Sequence, residues 1–130
     1  MTVSRRHEPF RYAFEPAISC LIRLTAINHN HLDSRPGQAE LLDLSPNGCK
    51  LESALNFHAV SHECQVVLDF ELTGPIEMRG TILWQEQRAH GFRYGIRFDE
   101  DQPYEITGEL KAYARQKRHE AAELQNTMEL

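Results

Sequence analysis

The sequence lacks the features that mark membrane, exported or polyanion-binding proteins. No apolar run approaches the ~18 residues that a membrane span requires. Residues 1–14 include basic side chains but no apolar stretch behind them, unlike a signal peptide. Lys and Arg total 14 against 19 Asp and Glu, for a formal net charge of −5. We therefore expect no membrane span. Because binding to a nucleic-acid backbone needs clustered cations, we also expect no DNA or RNA polymer as partner of this acidic chain.

Cysteine is also scarce. The three cysteines, Cys20, Cys49 and Cys64, are an odd number and form no C-x-x-C pair. This usage argues against a disulfide framework and is typical of a reducing compartment, so we expect a cytoplasmic protein. Cys20 and Cys64 fall in apolar alternations, which predicts that both are small core residues.

The dominant pattern is an alternation of apolar and polar residues over most of a chain the size of one domain. The chain has 130 residues, 41% of them hydrophobic, enough for one core. Period-two alternation predicts half-buried strands. Six short strands without intervening helices indicate an antiparallel barrel or sandwich. Trp84 falls on the apolar phase of its strand and is expected in the core. The predicted strands are residues 18–24, 39–42, 49–53, 64–72, 76–84 and 92–98.

The period changes to helical near the C-terminus. Asp101-Gln102-Pro103 resembles a helix start, and Ile106, Leu110 and Tyr113 follow at helical spacing. We expect the first half of this helix to cap the barrel and the last residues to fray. The predicted organisation is a basic arm over 1–16, a barrel over 17–100, a helix over 101–125 and a frayed tail over 126–130.

A tight connection between two short strands holds the most informative polar residues. In Asp43-Leu44-Ser45-Pro46-Asn47-Gly48, proline and asparagine favour a turn, and glycine permits close backbone approach. Asp43 and Ser45 are two apart, so both should face the same side. One interpretation is a hairpin whose polar side chains bond their own backbone; the other is a ligand site.

The N-terminal segment carries a second cluster, Arg5, Arg6 and Arg11. Arginine offers paired donors that fork onto a phosphate or a guanine edge, and its plane stacks on a base. The simpler interpretation is a solvated basic tail. The alternative is an arm that closes over a small anionic ligand.

Taken together, these clusters resemble the PilZ domain, a bacterial receptor module for cyclic di-GMP. Its hallmarks are R-x-x-x-R near the start of the domain and (D/N)-x-S-x-x-G some thirty residues later. Asp43, Ser45 and Gly48 match the second motif. Residues 94–98, Tyr-Gly-Ile-Arg-Phe, and residues 80–84, Gly-Thr-Ile-Leu-Trp, are similar to the family's later strands. Arg6 and Arg11 are separated by four residues, where the family has three. The resemblance implies a mainly β fold, a six-stranded antiparallel split barrel with a C-terminal helix.

The resemblance also implies a function. Cyclic di-GMP would be held by Arg6, Arg11, Asp43, Ser45 and Gly48, with Arg5 in reserve. Asp43 would accept hydrogen bonds from guanine, and the arginines would meet phosphates or guanines. An arm that becomes ordered would signal to a separate protein partner, from a monomer or a homodimer. The alternative is a protein-interaction adaptor of the same fold that has lost ligand binding.

Other chemistries lack support in the sequence. No nucleophile elbow or phosphate-cradling glycine loop is present, so we expect no enzyme, no catalytic residue and no cofactor. His29-x-His31 and His58-x-x-x-His62 have spacings that place two rings on one face. A zinc site needs more ligands than either pair supplies, so we expect no metal.

Overall fold

The computed structural model describes residues 11–102 and 104–128. Seven strands and one helix follow in order: β1 Tyr12–Ile27, β2 Asn30–His31, β3 Gly37–Ser45, β4 Gly48–Ser53, β5 Cys64–Glu71, β6 Pro75–Arg88, β7 Gly91–Phe98 and α1 Ile106–Met128. In this part of the chain, no helix combines the length and apolarity required to cross a membrane.

The strands form one antiparallel sheet that closes on itself. Its order is β2-β1-β3-β4-β7-β6-β5, and β1 also pairs with β5. The six longer strands therefore make a closed barrel, while β2 only extends the β1 edge through two residue pairs. The predicted six-stranded antiparallel barrel with a C-terminal helix is confirmed.

The core is the barrel interior. Inward positions alternate along each strand, so the apolar side chains of all six strands meet there. Cys20 and Cys64, predicted as small core residues, are 3% and 0% exposed. The buried aromatic Tyr94 donates its hydroxyl to the Leu55 carbonyl oxygen at 2.6 Å and accepts from the Phe57 N–H at 3.0 Å. The Tyr94 hydroxyl therefore ties the loop after β4 to the barrel.

The first half of α1 covers one side of the barrel. Ile106 and Leu110 are buried, and the Tyr113 ring lies edge-on to Tyr12 and Phe14, with centroids 5.8 and 5.6 Å apart. From Arg115 to Gln125 every residue is exposed. The helix therefore caps the barrel only over its first half.

The helix bounds differ from the predicted 101–125. Before the helix, Gln102 bonds the backbone N–H and carbonyl of Arg79 at 3.2 and 2.6 Å, which holds this stretch against β6. Pro103, predicted in the first turn, lies outside the described residues. At the other end α1 reaches Met128, into the predicted tail. Pairs between Lys117 and Glu120 at 3.6 Å and between His119 and Glu123 at 3.0 Å support these later turns.

The boundary between arm and barrel also moves. Residues 12–16, predicted as part of the arm, belong to β1, where Tyr12 pairs with Leu44 and Ala13 with Asp43. The ladder resumes at Ile18 after a bulge. Packing of the Tyr12 and Phe14 rings against the helix explains why this segment lies on the barrel.

The prediction that Trp84 lies in the core is wrong. Ile82 pairs with Ile96, but Trp84 pairs with Gly95, so a bulge at Leu83 inserts an extra residue. The bulge shifts the alternation by one and turns Trp84 outward. Leu83 and Trp84 are 56% and 41% exposed.

Candidate functional site

A tight hairpin between β3 and β4 holds the D-x-S-x-x-G motif. Ser45 pairs with Gly48, and the Ser45 hydroxyl donates to the Gly48 carbonyl oxygen at 3.2 Å. The Asn47 carbonyl accepts from the Phe98 N–H at 2.8 Å, which fastens the turn to the end of β7. A Cβ at Gly48 would collide with the Ile96 carbonyl oxygen. Glycine is therefore required for β4 to approach β7 so closely.

A second bulge directs Asp43 away from the core. Leu41 pairs with Leu51, but Asp43 pairs with Lys50, so Leu42 is the extra residue. Leu44 then points inward, and Asp43 and Ser45 share the opposite face, as their spacing predicted. Although they lie on the outer face, they are only 5% and 0% exposed.

The Asp43 carboxylate joins three groups from two neighbouring segments. Its Oδ1 accepts from Arg11 Nη1 at 3.0 Å and from the Lys50 backbone N–H at 2.8 Å. Its Oδ2 lies 3.4 Å from Lys50 Nζ. The Arg11 and Lys50 side chains remain 45% and 42% exposed. A buried carboxylate thus holds two cationic side chains that are themselves partly exposed.

Two rows of cross-strand neighbours extend the site over four strands, β3, β4, β7 and β6. In one row Asp43 pairs with Lys50, Lys50 with Gly95, and Gly95 with Trp84. Directly paired residues share a face of the sheet. Since Gly95 has no side chain, the Trp84 indole lies over it, and a Cβ there would meet the indole Nε1, Cε2 and Cδ1. The Trp84 indole therefore occupies the space that a side chain at position 95 would fill.

The parallel row brings a third cation to the turn. Ser45 pairs with Gly48, and Gly48 pairs with Arg97, an exposed residue of β7. Arg97 in turn pairs with Thr81 on β6. The end of β7 therefore presents a guanidinium beside the glycine of the motif.

These residues surround a cavity of about 630 Å³ on the outer wall of the barrel. Three cations and one exposed indole line it, a surface suited to an anion that carries aromatic bases. The lining residues are Arg11, Asn47, Gly48, Cys49, Lys50, Leu83, Trp84, Gly95, Ile96 and Arg97.

The structure brings four of the predicted site residues together: Arg11, Asp43, Ser45 and Gly48. Arg5 and Arg6 lie outside the described residues. The self-bonding interpretation of the turn describes the contact of Ser45 with Gly48 and the bond from the Lys50 backbone N–H to Asp43. It does not describe the ion pairs of Asp43 with the Lys50 side chain and with Arg11, which directly precedes β1. The turn is therefore part of a larger polar arrangement.

Sequence reasoning missed Lys50, Trp84 and Arg97. Lys50 and Arg97 stand at polar positions of alternating strands, where any charged residue is expected. Their only sequence signal is their position. Lys50 follows the last residue of the D-x-S-x-x-G motif by two, and Arg97 is the arginine of the Tyr-Gly-Ile-Arg-Phe segment. The strand order brings them to one cavity.

Cys49 lies at the rim of this site without reactive character. Burial, with lesser contributions from Cys20 and Asp43, raises the pKa of the Cys49 thiol well above its usual value. The thiol is therefore neutral at ordinary pH. Among residues 11–102 and 104–128, no three His, Cys, Asp or Glu side chains are grouped as a metal site requires.

A larger groove of about 1420 Å³ lies between the β6–β7 hairpin and strands β1, β3 and β4. Its strongest charged contact is internal, since Arg93 meets Glu52 at 2.6 Å, and Arg88 lies 3.9 Å from the same carboxylate. It includes none of the predicted site residues. The smaller cavity is the candidate site because three cationic side chains and the D-x-S-x-x-G motif meet there.

Comparison with known protein families matches residues 4–116 to the PilZ domain. None of the curated proteins compared with the chain matches it. The family match covers the barrel, the D-x-S-x-x-G hairpin and the capping half of α1. The PilZ family consists of binding and receptor domains rather than catalytic ones. The chain therefore belongs to the PilZ domain family, a family of cyclic di-GMP receptors.

Proposed function

We propose that this protein is a cyclic di-GMP receptor that binds the dinucleotide in the cavity beside the D-x-S-x-x-G hairpin. The observation that carries the proposal is the meeting of Arg11, Arg97 and the exposed Trp84 indole at this hairpin. Cyclic di-GMP has two anionic phosphates and two guanines. Guanidinium groups bind both the phosphates and the guanine edge, and an indole stacks on a base. The cavity lining thus supplies a partner for each chemical part of the ligand.

The motif residues have supporting roles in this proposal. Ser45 and Gly48 shape the hairpin, and Gly48 allows β4 and β7 to lie close enough for Arg97 to reach the cavity. Arg11 is held by Asp43 at the start of β1. Arg6, with Arg5 in reserve, is proposed to add contacts from the segment that precedes Arg11.

We further propose that the signal passes to a separate protein. Ordering of a segment costs roughly 1–2 kcal/mol per residue, which contacts to the ligand must offset. In this proposal, a ligand that engages Arg11 changes the surface around the start of β1. The resulting change of surface would be the feature that a partner protein recognises.

Isothermal titration calorimetry of the full chain with cyclic di-GMP tests the proposed function. We expect binding by the wild type, and about tenfold or greater weakening in Arg11→Ala and Asp43→Ala, because charge-assisted hydrogen bonds contribute roughly 1.5–3 kcal/mol each. Arg23→Ala is the matched control. Arg23 contacts Asp33 and Glu77 at the surface and does not line the cavity.

Absence of both binding heat and thermal stabilisation at high micromolar ligand would refute the receptor proposal. That result would favour the adaptor, a domain of the same fold without the ligand. Equal weakening in Arg11→Ala and Arg23→Ala would instead show that the general charge of the protein, rather than this cavity, governs binding.

A further inference from the structure

We infer that the larger groove binds the exposed half of α1 from a second copy of this chain. In such a twofold pair, the helix of each copy lies in the groove of the other. The groove and the ligand cavity have no lining residue in common. The inference therefore does not depend on the proposed ligand.

The groove presents two carboxylates that lack a counter-charge. Glu40 and Asp69 both line it, and within the described residues neither forms an ion pair with a cation. The two arginines of the groove, Arg88 and Arg93, lie against Glu52 instead. Glu40 stands directly opposite Glu52 on the neighbouring strand, where like charges repel each other. A cation that enters the groove therefore relieves an unfavourable contact.

An exposed apolar side chain lies between these two carboxylates. Leu21 of β1 pairs with Asp69 on one side, and Ser19, on the same face of β1, pairs with Glu40 on the other. Leu21 is 43% exposed. Because β1 separates β3 from β5, Glu40 and Asp69 are two strand spacings and two residue rises apart, about 12 Å. The groove thus suits a segment that carries separated cations and small apolar residues.

The helix α1 carries a basic stripe of this kind, Lys111, Arg115 and Arg118. The spacing i, i+4, i+7 places the three side chains on one face of the helix. All three are exposed, and none forms an ion pair with a carboxylate in the part of the chain that the structure describes. The ends of the basic stripe are about 10 Å apart along the helix axis. This length is close to the separation of the two groove carboxylates.

The exposed half of α1 also has the dimensions of the groove. Residues 115–125 are exposed, and a cylinder of about three helical turns with a diameter of about 10 Å occupies roughly 1300 Å³. The groove has a volume of about 1420 Å³. Ala121 and Ala122 continue the basic stripe, and their small side chains allow the helix to lie close to Leu21. Residues 117–128 lie beyond the segment matched to the PilZ domain, so most of this half is additional to the matched domain.

Sedimentation velocity of the full chain tests the inference with two charge-reversal variants. Arg115→Glu/Arg118→Glu reverses the basic stripe, and Glu40→Lys/Asp69→Lys reverses the groove. We expect a concentration-dependent dimer of the wild type and at least about tenfold weaker self-association of each variant, because like charges then face each other. In an equimolar mixture, the acidic helix of one variant meets the basic groove of the other, and both remaining contacts are wild-type in sign. The mixture should therefore regain the wild-type affinity within about threefold.

Arg35→Glu/Arg79→Glu is the matched control, because it makes the same change in net charge as the helix variant at exposed residues outside the groove. A wild type that stays monomeric up to about 1 mM overturns the inference. Self-association that either charge-reversal variant weakens no more than the control does also overturns it. A mixture that regains no dimer shows that α1 and the groove are not partners, which overturns it as well.

The salt dependence of the wild-type dimer gives a test that needs no variant. Added salt should weaken self-association, because it screens the ion pairs between the basic stripe and the groove. An affinity that is independent of salt overturns the inference. Circular dichroism of each variant checks that the barrel and the helix remain folded. None of these outcomes bears on the receptor proposal, which calorimetry with cyclic di-GMP tests separately.

Discussion

Replacing Gly95 with alanine should displace the Trp84 indole and weaken cyclic di-GMP binding while the barrel stays folded. The added Cβ would lie 2.7 Å from the indole Cδ1 and nearer still to Nε1 and Cε2. Ordinary contact between these atoms begins at 3.4 Å, so the ring must move. The cost to folding is about 0.5–1.5 kcal/mol, the range for a side chain forced off its preferred rotamer. The indole is 41% exposed and has space to move.

The effect on binding should be larger than the effect on stability. A base stacked on an aromatic side chain contributes about 1–3 kcal/mol, which corresponds to roughly 5- to 150-fold in Kd. Calorimetry measures this loss directly. Trp84 is the single tryptophan of the chain, so its fluorescence reports both the displaced ring and the arrival of the ligand.

Gly74→Ala is the matched control, because a Cβ at Gly74 meets nothing within 4 Å. Unchanged affinity and unchanged Trp84 emission in Gly95→Ala would refute the claim that Gly95 gives the indole the space it occupies. Trp84→Leu supplies a second test that adds no atom to the backbone. If Trp84→Leu binds the ligand as tightly as the wild type, the indole is not part of the site.

Two further predictions concern the stability of the barrel. Tyr94→Phe removes a buried hydroxyl that bonds Leu55 and Phe57, so the free energy of unfolding in urea should fall by about 1–3 kcal/mol; a change no larger than in Tyr113→Phe would contradict this role. Burial, reinforced by Asp69, raises the pKa of Cys20 from 9.0 to about 12. The folded thiol therefore stays neutral where the unfolded one ionises. Stability from this group should be complete below pH 9 and decline by about 1.4 kcal/mol per pH unit as the pH rises toward 12. Urea titrations at alkaline pH should show a shallower decline in Cys20→Ala, and an identical decline would count against the assignment.

Strand locations were readable from the sequence because a half-buried strand alternates with period two. The pattern over residues 92–98 corresponds to β7, Gly91–Phe98, and the pattern over 64–72 corresponds to β5, Cys64–Glu71. Each inward residue meets the same barrel interior, so the alternation persists along the strand. The number of such strands without helices between them indicated an antiparallel barrel or sandwich, and the resemblance to the PilZ family implied the barrel.

Trp84 shows where the alternation of apolar and polar residues does not predict which face of a strand a side chain occupies. Ile82 and Trp84 continue one apolar phase in the sequence, but the bulge at Leu83 places them on opposite faces. A bulge depends on how two strands align with each other. The sequence of one strand alone carries no sign of a bulge, so the alternation predicts Trp84 in the core and not at the candidate cavity.

The boundaries of the barrel and of the helix differ from the predicted ones for a related reason. Residues 12–16 resemble a polar arm with a proline, but pairing of Tyr12 with Leu44 and the rings beneath α1 place them in β1. The start of α1 is delayed to Ile106 because Gln102 bonds the backbone of Arg79. Both contacts join residues more than twenty positions apart.

The sequence by itself determined the alternating strands, the turn chemistry of Pro46 and Asn47, and the motif spacing of Asp43, Ser45 and Gly48. These are local properties, since alternation and turns depend on neighbours along the chain. Only the tertiary structure decided that Arg11 reaches Asp43 and that Lys50, Arg97 and Trp84 share a cavity with the hairpin. Strand order and register determine these contacts, because the pairing of strands over the whole barrel, and not distance along the sequence, decides which residues are cross-strand neighbours.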